Sequence, residues 1–308
     1  MNKNILMIVA ITILLAGCSS KVADTTTTQN STDVILETSE STLGTTENTV
    51  NNSDSTNKEY DYFNDYDKEI STEVNIVVEA TTSLQDELNK VKKIAEIYSE
   101  ASSKANNQNE INSSSIWTYT VWDKELNNLW KRISNDADKN TKKLLLDSQR
   151  NWIAMKESIV LENIGSKEDS GSIYPLQKNN LLSDITCNRC YILARELAKI
   201  KNENFTMPER SLYGTYVDNQ GTNSIYSSLI TRKNIENDNE AKISIYRLGQ
   251  TEGTFTNNND GTLSYTSYEE NIKGIIKLDG WNKATFEVTE SKDSPFNVGE
   301  SFTFDFVI

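Results

Sequence analysis

The sequence predicts an α+β chain of several parts: a disordered tether, then an antiparallel helical bundle, then a small antiparallel β barrel or sandwich. Three observations predict it. The stretch from residue 19 to 75 has hardly any apolar cluster and carries 12 acidic against 3 basic groups, so it cannot bury enough surface to fold. From 83 to 200 the apolar residues recur at three and four, the spacing of a helix face. After Pro208 the period becomes two, the alternation of a strand with one buried side.

Residues 1–17 read as a secretory signal. Lys3 gives a short positive region, Ile5 to Leu15 is an eleven-residue apolar stretch interrupted only by Thr12, and the small pair Ala16-Gly17 exposes the bond before Cys18 to a peptidase. Eleven residues are too few to cross a bilayer, which takes about 20. The segment resembles the bacterial lipoprotein signal, and the resemblance implies cleavage, a covalent lipid such as palmitate on the Cys18 thiol, and an extracytoplasmic, membrane-anchored chain. A short uncleaved anchor is the alternative and gives the same address. No other cofactor is expected.

From Cys18 to residue 75 the expectation is a tether, a flexible coil with ends about 40 Å apart. Tyr60, Tyr62, Phe63 and Tyr66 near its end form an aromatic patch that either docks on the folded part or serves as a partner motif. The helical domain is expected over 76–205. Its first helix is read at 83–103, with Ser83 as N-cap and Leu84, Leu88, Val91, Ile94, Ala95 and Tyr98 inward. The polar stretch from Asn106 to Ser115 breaks it. Trp122, Leu126, Leu129, Trp130 and Ile133 make a second stripe that ends near Asp136. Leu144, Leu145, Ser148, Trp152, Met155, Ile159 and Val160 carry a third helix to about Asn163, and Leu181, Leu182, Ile185, Tyr191, Leu193 and Leu197 a fourth from about Leu176 to Ile200. Short connections favour an antiparallel bundle.

Residues 209–308 are expected to be all β. Eight strand candidates run from Tyr213–Val217 to Ser301–Val307, with hairpin turns at Asn259-Asp260-Gly261 and Asp279-Gly280, where glycine accepts a positive φ. A closed meander leaves no long edge to pair with a neighbour.

Composition limits the chemistry. There is no histidine, which removes Ser-His-Asp and Cys-His catalysis and the commonest zinc ligand. With Cys18 committed to lipid, only Cys187 and Cys190 remain, too few for a disulfide scaffold. Net charge is −14: the tether holds −9, residues 76–208 none and residues 209–308 −6, and Lys3 of the signal supplies +1. Acidic tether and acidic C-terminal domain repel nucleic acid and admit a cationic partner.

Trp122-Asp123-Lys124-Glu125-Leu126-Asn127 is followed by Gln149-Arg150-Asn151-Trp152, Lys156, Gly171-Ser172 and Thr186-Cys187-Asn188-Arg189-Cys190-Tyr191. This order resembles the LprI-type lysozyme inhibitor domain over about residues 83–200. The family pattern is W-D-x-x-L-N, then Q-R-x-W with a basic residue four positions on, then G-G-[ST], then T-x-x-R. Lys156 stands where the family favours Arg, and Ser170 where it favours the first Gly. Ser158 and Leu181 replace a cysteine pair that many members carry, so that disulfide is absent. The resemblance implies a non-enzymatic envelope protein that binds lysozyme or a related wall hydrolase, with inhibition as the outcome. The residues themselves read first as architecture: Trp122 and Trp152 are apolar anchors, and Asn127, Gln149 and Arg189 are donors and acceptors between helices. The functional reading joins them to the Gly171-Ser172 loop as a cleft or knob that meets the partner.

Three other patterns carry less. Cys187-x-x-Cys190 falls inside a helix and reads as a packed thiol pair rather than a redox centre. Residues 257–261 lack the ligand spacing of a calcium loop and read as a hairpin turn. Glu157, Glu162, Glu168 and Asp169 are read as solvated carboxylates, not a glycosidase pair. A second function is open: a structural or ligand-binding module whose barrel holds a small apolar or wall-derived ligand, with Gly214-x-Tyr216 faintly similar to lipocalin-like domains.

Overall fold

The computed structural model describes residues 59–218, 227–234 and 236–308. Cys18, the signal and the tether to residue 58 lie outside the described residues. Among the described residues seven helices come first: α1 Asp67–Ala80, α2 Leu84–Ser103, α3 Gln108–Ser114, α4 Ile116–Asp136, α5 Lys139–Ile164, α6 Lys167–Ser170 and α7 Tyr174–Lys201, with a 3₁₀ turn Gly171–Ile173 before α7. Eight strands follow: β1 Gly214–Asp218, β2 Ser227–Lys233, β3 Asn239–Ile245, β4 Gly249–Asn257, β5 Thr262–Ser267, β6 Ile272–Asp279, β7 Lys283–Ser291 and β8 Ser301–Phe306. No helix among the described residues is long and apolar enough to cross a membrane.

Three of the longer helices carry a clear boundary signal at one end. The Ser83 side chain accepts from Asp86 N and caps α2, Asp138 accepts from Asn140 N and Thr141 N and caps α5, and Asn202 in the left-handed region terminates α7. α4 and α7 form the central pair of the bundle. Leu88, Val91, Val121, Leu129, Ile133, Ile159, Ile185, Leu193 and Leu197 are all fully buried in its core.

The expected tether ends sooner than its composition suggests. A helix of 14 residues, α1, begins at Asp67, because Ile70, Val74, Val77 and Val78 form a stripe inside the acidic run. Ile70 and Val74 are fully buried, each contributing about 2 kcal/mol. The aromatic patch docks as well. Tyr66 meets the edge of Trp117 at 5.0 Å, Tyr62 stacks on the same indole at 6.1 Å, and Tyr60 contacts Tyr98 at 6.0 Å, while Phe63 stays exposed. The helical domain therefore starts near residue 60 rather than 76. Asn106–Ser115, expected as a break, contains α3, capped by Asn107. Leu144, read as inward, is exposed.

Every strand pairs antiparallel with its sequence neighbour, and β1 pairs with β8, so the sheet closes as a barrel and not a sandwich. Alternation places Tyr216, Leu229, Ile243, Phe255, Leu263, Tyr265, Ile276, Phe286 and Phe304 inside. The interior is filled by these side chains, with Tyr265 and Phe286 in edge contact at 5.5 Å. Gly274 makes room for the Phe286 ring, which a Cβ at that position would strike. Phe296, from the loop between β7 and β8, is buried over one end. At the other end Arg210 lies 5.5 Å from the Tyr216 ring and 5.3 Å from Phe306. A packed interior argues against the barrel as the holder of a ligand.

The bundle leans on the barrel at β1 and β8. Thr215 donates to Asn163 Oδ1 at 2.9 Å, Asn188 donates to the Val307 carbonyl at 3.3 Å, and Arg195 donates to Asn282 Oδ1 at 2.9 Å. Val217 and Val307 belong to the bundle's core.

Candidate functional site

The motif residues come together first between α5 and α7. Gln149, Trp152 and Lys156 are spaced three and four apart and share one face of α5, and Arg189 reaches them from α7. Its Nε donates to Gln149 Oε1 at 2.8 Å and its Nη2 to Ser148 Oγ at 3.1 Å. The guanidinium sits 5.8 Å from the Trp152 ring centre, and Lys156 Nζ lies 4.9 Å from the same indole while donating to Tyr119 OH at 3.0 Å. One indole therefore faces two cations. Arg189 is 6% exposed and makes no ion pair among the described residues. Burial lowers its guanidinium to about 10, so it stays charged at neutral pH.

The second meeting is between α4 and α7. Trp122 is buried, its ring 6.3 Å from that of Tyr191. Cys190 donates its thiol hydrogen to the Trp122 carbonyl at 3.3 Å, and Leu126 packs in the same core. Thr186 is fully buried and its hydroxyl has no hydrogen-bond partner among the described residues. Asn127 departs from expectation. It is exposed and bonds within its own helix, donating to the Asp123 carbonyl at 2.8 Å and to Asp123 Oδ2 at 3.2 Å. It therefore links no helices. Arg150 is exposed as well, 3.9 Å from Asp147.

Gly171 and Ser172 lie elsewhere. They follow α6, whose Ser166 and Asp169 form a reciprocal capping box, and Gly171 takes φ +62° in open space. The Ser172 carbonyl accepts from Asn112 Nδ2 at 2.7 Å, which ties the loop to α3. Ile173 is 40% exposed beside it. Arg189 is 15 residues along α7 from Tyr174, about 22 Å at the helical rise. The motif thus falls at two helix junctions and in a separate loop, not in the one cleft or knob of the functional reading.

With these positions in view, a comparison with known families adds one likeness. Residues 99–193 match the family model described as Lysozyme inhibitor LprI. The LprI match opens in the last turns of α2, closes at Leu193 within α7, and contains every motif residue from Trp122 to Arg189. It stops short of the barrel. No curated protein and no solved structure matches the chain.

Within the LprI-type segment the thiols are not poised for redox chemistry. Burial pushes Cys187 up to about 12 and Cys190 well above its ordinary value, and both are free. Among the described residues no group of three or more Asp, Glu or Cys is arranged to hold a metal ion. Asn257 and Asp260 spend their side chains on the β4–β5 turn, accepting from Asn259 N and from Thr262. The four carboxylates weighed as a catalytic pair serve separate ends: Glu157 receives Lys178, Glu162 receives Ser228 of the barrel, Asp169 caps α6, and Glu168 is exposed.

A different carboxylate pair had been hidden. Glu87 of α2 and Glu125 of α4 are both buried, and Arg132 joins them, bidentate to Glu87 and 3.6 Å from Glu125. Burial, and then the neighbouring Glu87, hold Glu125 well above the usual carboxylate range. Its signal in the sequence is spacing: Glu125 stands four residues after Val121 and four before Leu129, inside an apolar stripe.

Proposed function

We propose that this chain is a lipid-anchored, extracytoplasmic binding protein that captures and inhibits lysozyme or a related cell-wall hydrolase without chemistry of its own. The observation that carries the reading is the LprI match over 99–193, which falls within the bundle. Two features support it. Gln149, Arg189 and Cys190 of the motif are spent on joining helices, Arg189 to Gln149 and Cys190 to Trp122. The 167–173 loop, in contrast, is exposed, held by its capping box and by Asn112, and carries Glu168 and Asp169. An exposed segment already held in place pays little ordering entropy on binding, and its acidic residues suit a cationic surface. Acidic charge on the 19–75 segment and on the barrel steers a basic enzyme toward it.

Binding and inhibition assays with c-type lysozyme at low and moderate salt test this reading. Saturable inhibition that weakens with salt and is lost in Ser172→Arg, with the melting temperature unchanged, is expected; absence of binding at both salts overturns it. Metabolic labelling with a fatty acid, lost in Cys18→Ser, tests the anchor.

A further inference from the structure

The two arginines of α7 that face the barrel differ in how their charge is answered. Arg195 is held by Glu196 at 3.2 Å and by Asn282 at 2.9 Å. Arg189 has only neutral partners, and they take its Nε and Nη2, leaving Nη1 free for a ligand. Both arginines line a cleft of about 440 Å³ between α5, α7 and the β1–β8 seam, a volume within the ordinary range for small-molecule sites. Trp152, Met155, Ile192, Val217 and Phe306 give it apolar walls, and Asn151 and Asp305 stand at its polar side.

A buried cation without a counter-ion costs folding free energy, and that cost is offset when an anion enters. The charge count in the cleft selects which anion. One guanidinium has no ion pair among the described residues, while Asp305, 3.9 Å from Lys283, also lines the cleft, and a dianion such as phosphate meets more of its repulsion than a monoanion does. Flat aromatic and aliphatic walls ask for an apolar body attached to the charge.

We propose that this cleft is a binding site for a small monoanionic carboxylate with an apolar body, its carboxylate on Arg189 and its apolar part between Trp152 and Phe306. The site lies about 22 Å along α7 from the Gly171-Ser172 loop and does not depend on the lysozyme reading. Either stands if the other fails.

Calorimetry of the full chain in detergent with 3-phenylpropionate tests the site, with 3-phenylpropanol and inorganic phosphate as controls. Saturable binding with a Kd of about 1 mM or tighter is expected, at least about tenfold weaker for the neutral alcohol and for phosphate. Arg189→Lys should weaken it at least about tenfold. Because that variant also disturbs the helix packing, Asn151→Trp serves as the second: it fills the cleft from a partly exposed helix position, leaves the Arg189 network intact, and should abolish binding with the fold retained. Equal affinity for the alcohol, preference for phosphate, no saturable heat, or full binding by Asn151→Trp would each overturn the proposal.

Discussion

Cys190 of α7 donates its thiol hydrogen to the main-chain carbonyl of Trp122 in α4, 3.3 Å away, in the fully buried centre of the bundle. The contact joins the first and last pieces of the motif, 68 residues apart in sequence. Conversion of Cys190→Ala removes the bond and opens a small void, and should cost about 1–2 kcal/mol, measured as a shift in the denaturation midpoint.

The neighbouring thiol chemistry follows from burial. Cys187 is pushed up to about 12 and Cys190 higher still, so at pH 8 neither is a thiolate in the folded chain. Thiol titration of native protein should run at least about tenfold slower than for free cysteine, and reach both groups on unfolding.

Gln149 is the partner that holds the Arg189 guanidinium in place. Its replacement in Gln149→Ala leaves a buried cation short of one acceptor, with an expected loss of about 2 kcal/mol. A double-mutant cycle with Arg189→Ala should return a coupling energy of about 1–3 kcal/mol; additive losses would show that the pair is not linked.

Glu125 makes stability depend on pH. Its ordinary value is 4.5, and in the fold it is held well above that, so the folded chain keeps a proton that the unfolded chain releases. Stability from this group is present at low pH and is lost as pH rises from near 4.5 toward the folded value. Glu125→Gln should flatten that loss, and the gap in melting temperature between variant and parent should widen from pH 5 to pH 8.

Gly274 tests the barrel. A Cβ there meets the Phe286 ring and the Glu287 carbonyl, so Gly274→Ala should destabilise by about 1–3 kcal/mol, read by thermal melts. Glycine at an exposed turn, Gly280 for one, has open space around it and is the control for strain without collision.

Much of this was legible because periodicity reports burial directly. The Ser83 cap and the α2 stripe stand where the three-four spacing puts them, and all eight strand candidates pair in one meander. What spacing does not report is which chain neighbour covers which face. Ile70 and Val74 were masked by the acids around them, and Leu144 lies in a helix with apolar residues on several sides and points outward. Asn127 and Gln149 are both polar residues of one motif, yet only Gln149 meets a partner across the bundle, because α7 packs on one face of each helix alone. Barrel rather than sandwich depends on whether β1 finds β8, a long-range pairing that no local pattern encodes.

That pairing has a wider consequence. β1 is only five residues long, and its alternate side chains serve two interiors: Tyr216 completes the barrel and Val217 the bundle. Neither half has a full core without it. The two halves therefore share one strand as common ground, and an opening of β1 exposes both at once, so their most protected amides should lose protection together in hydrogen exchange.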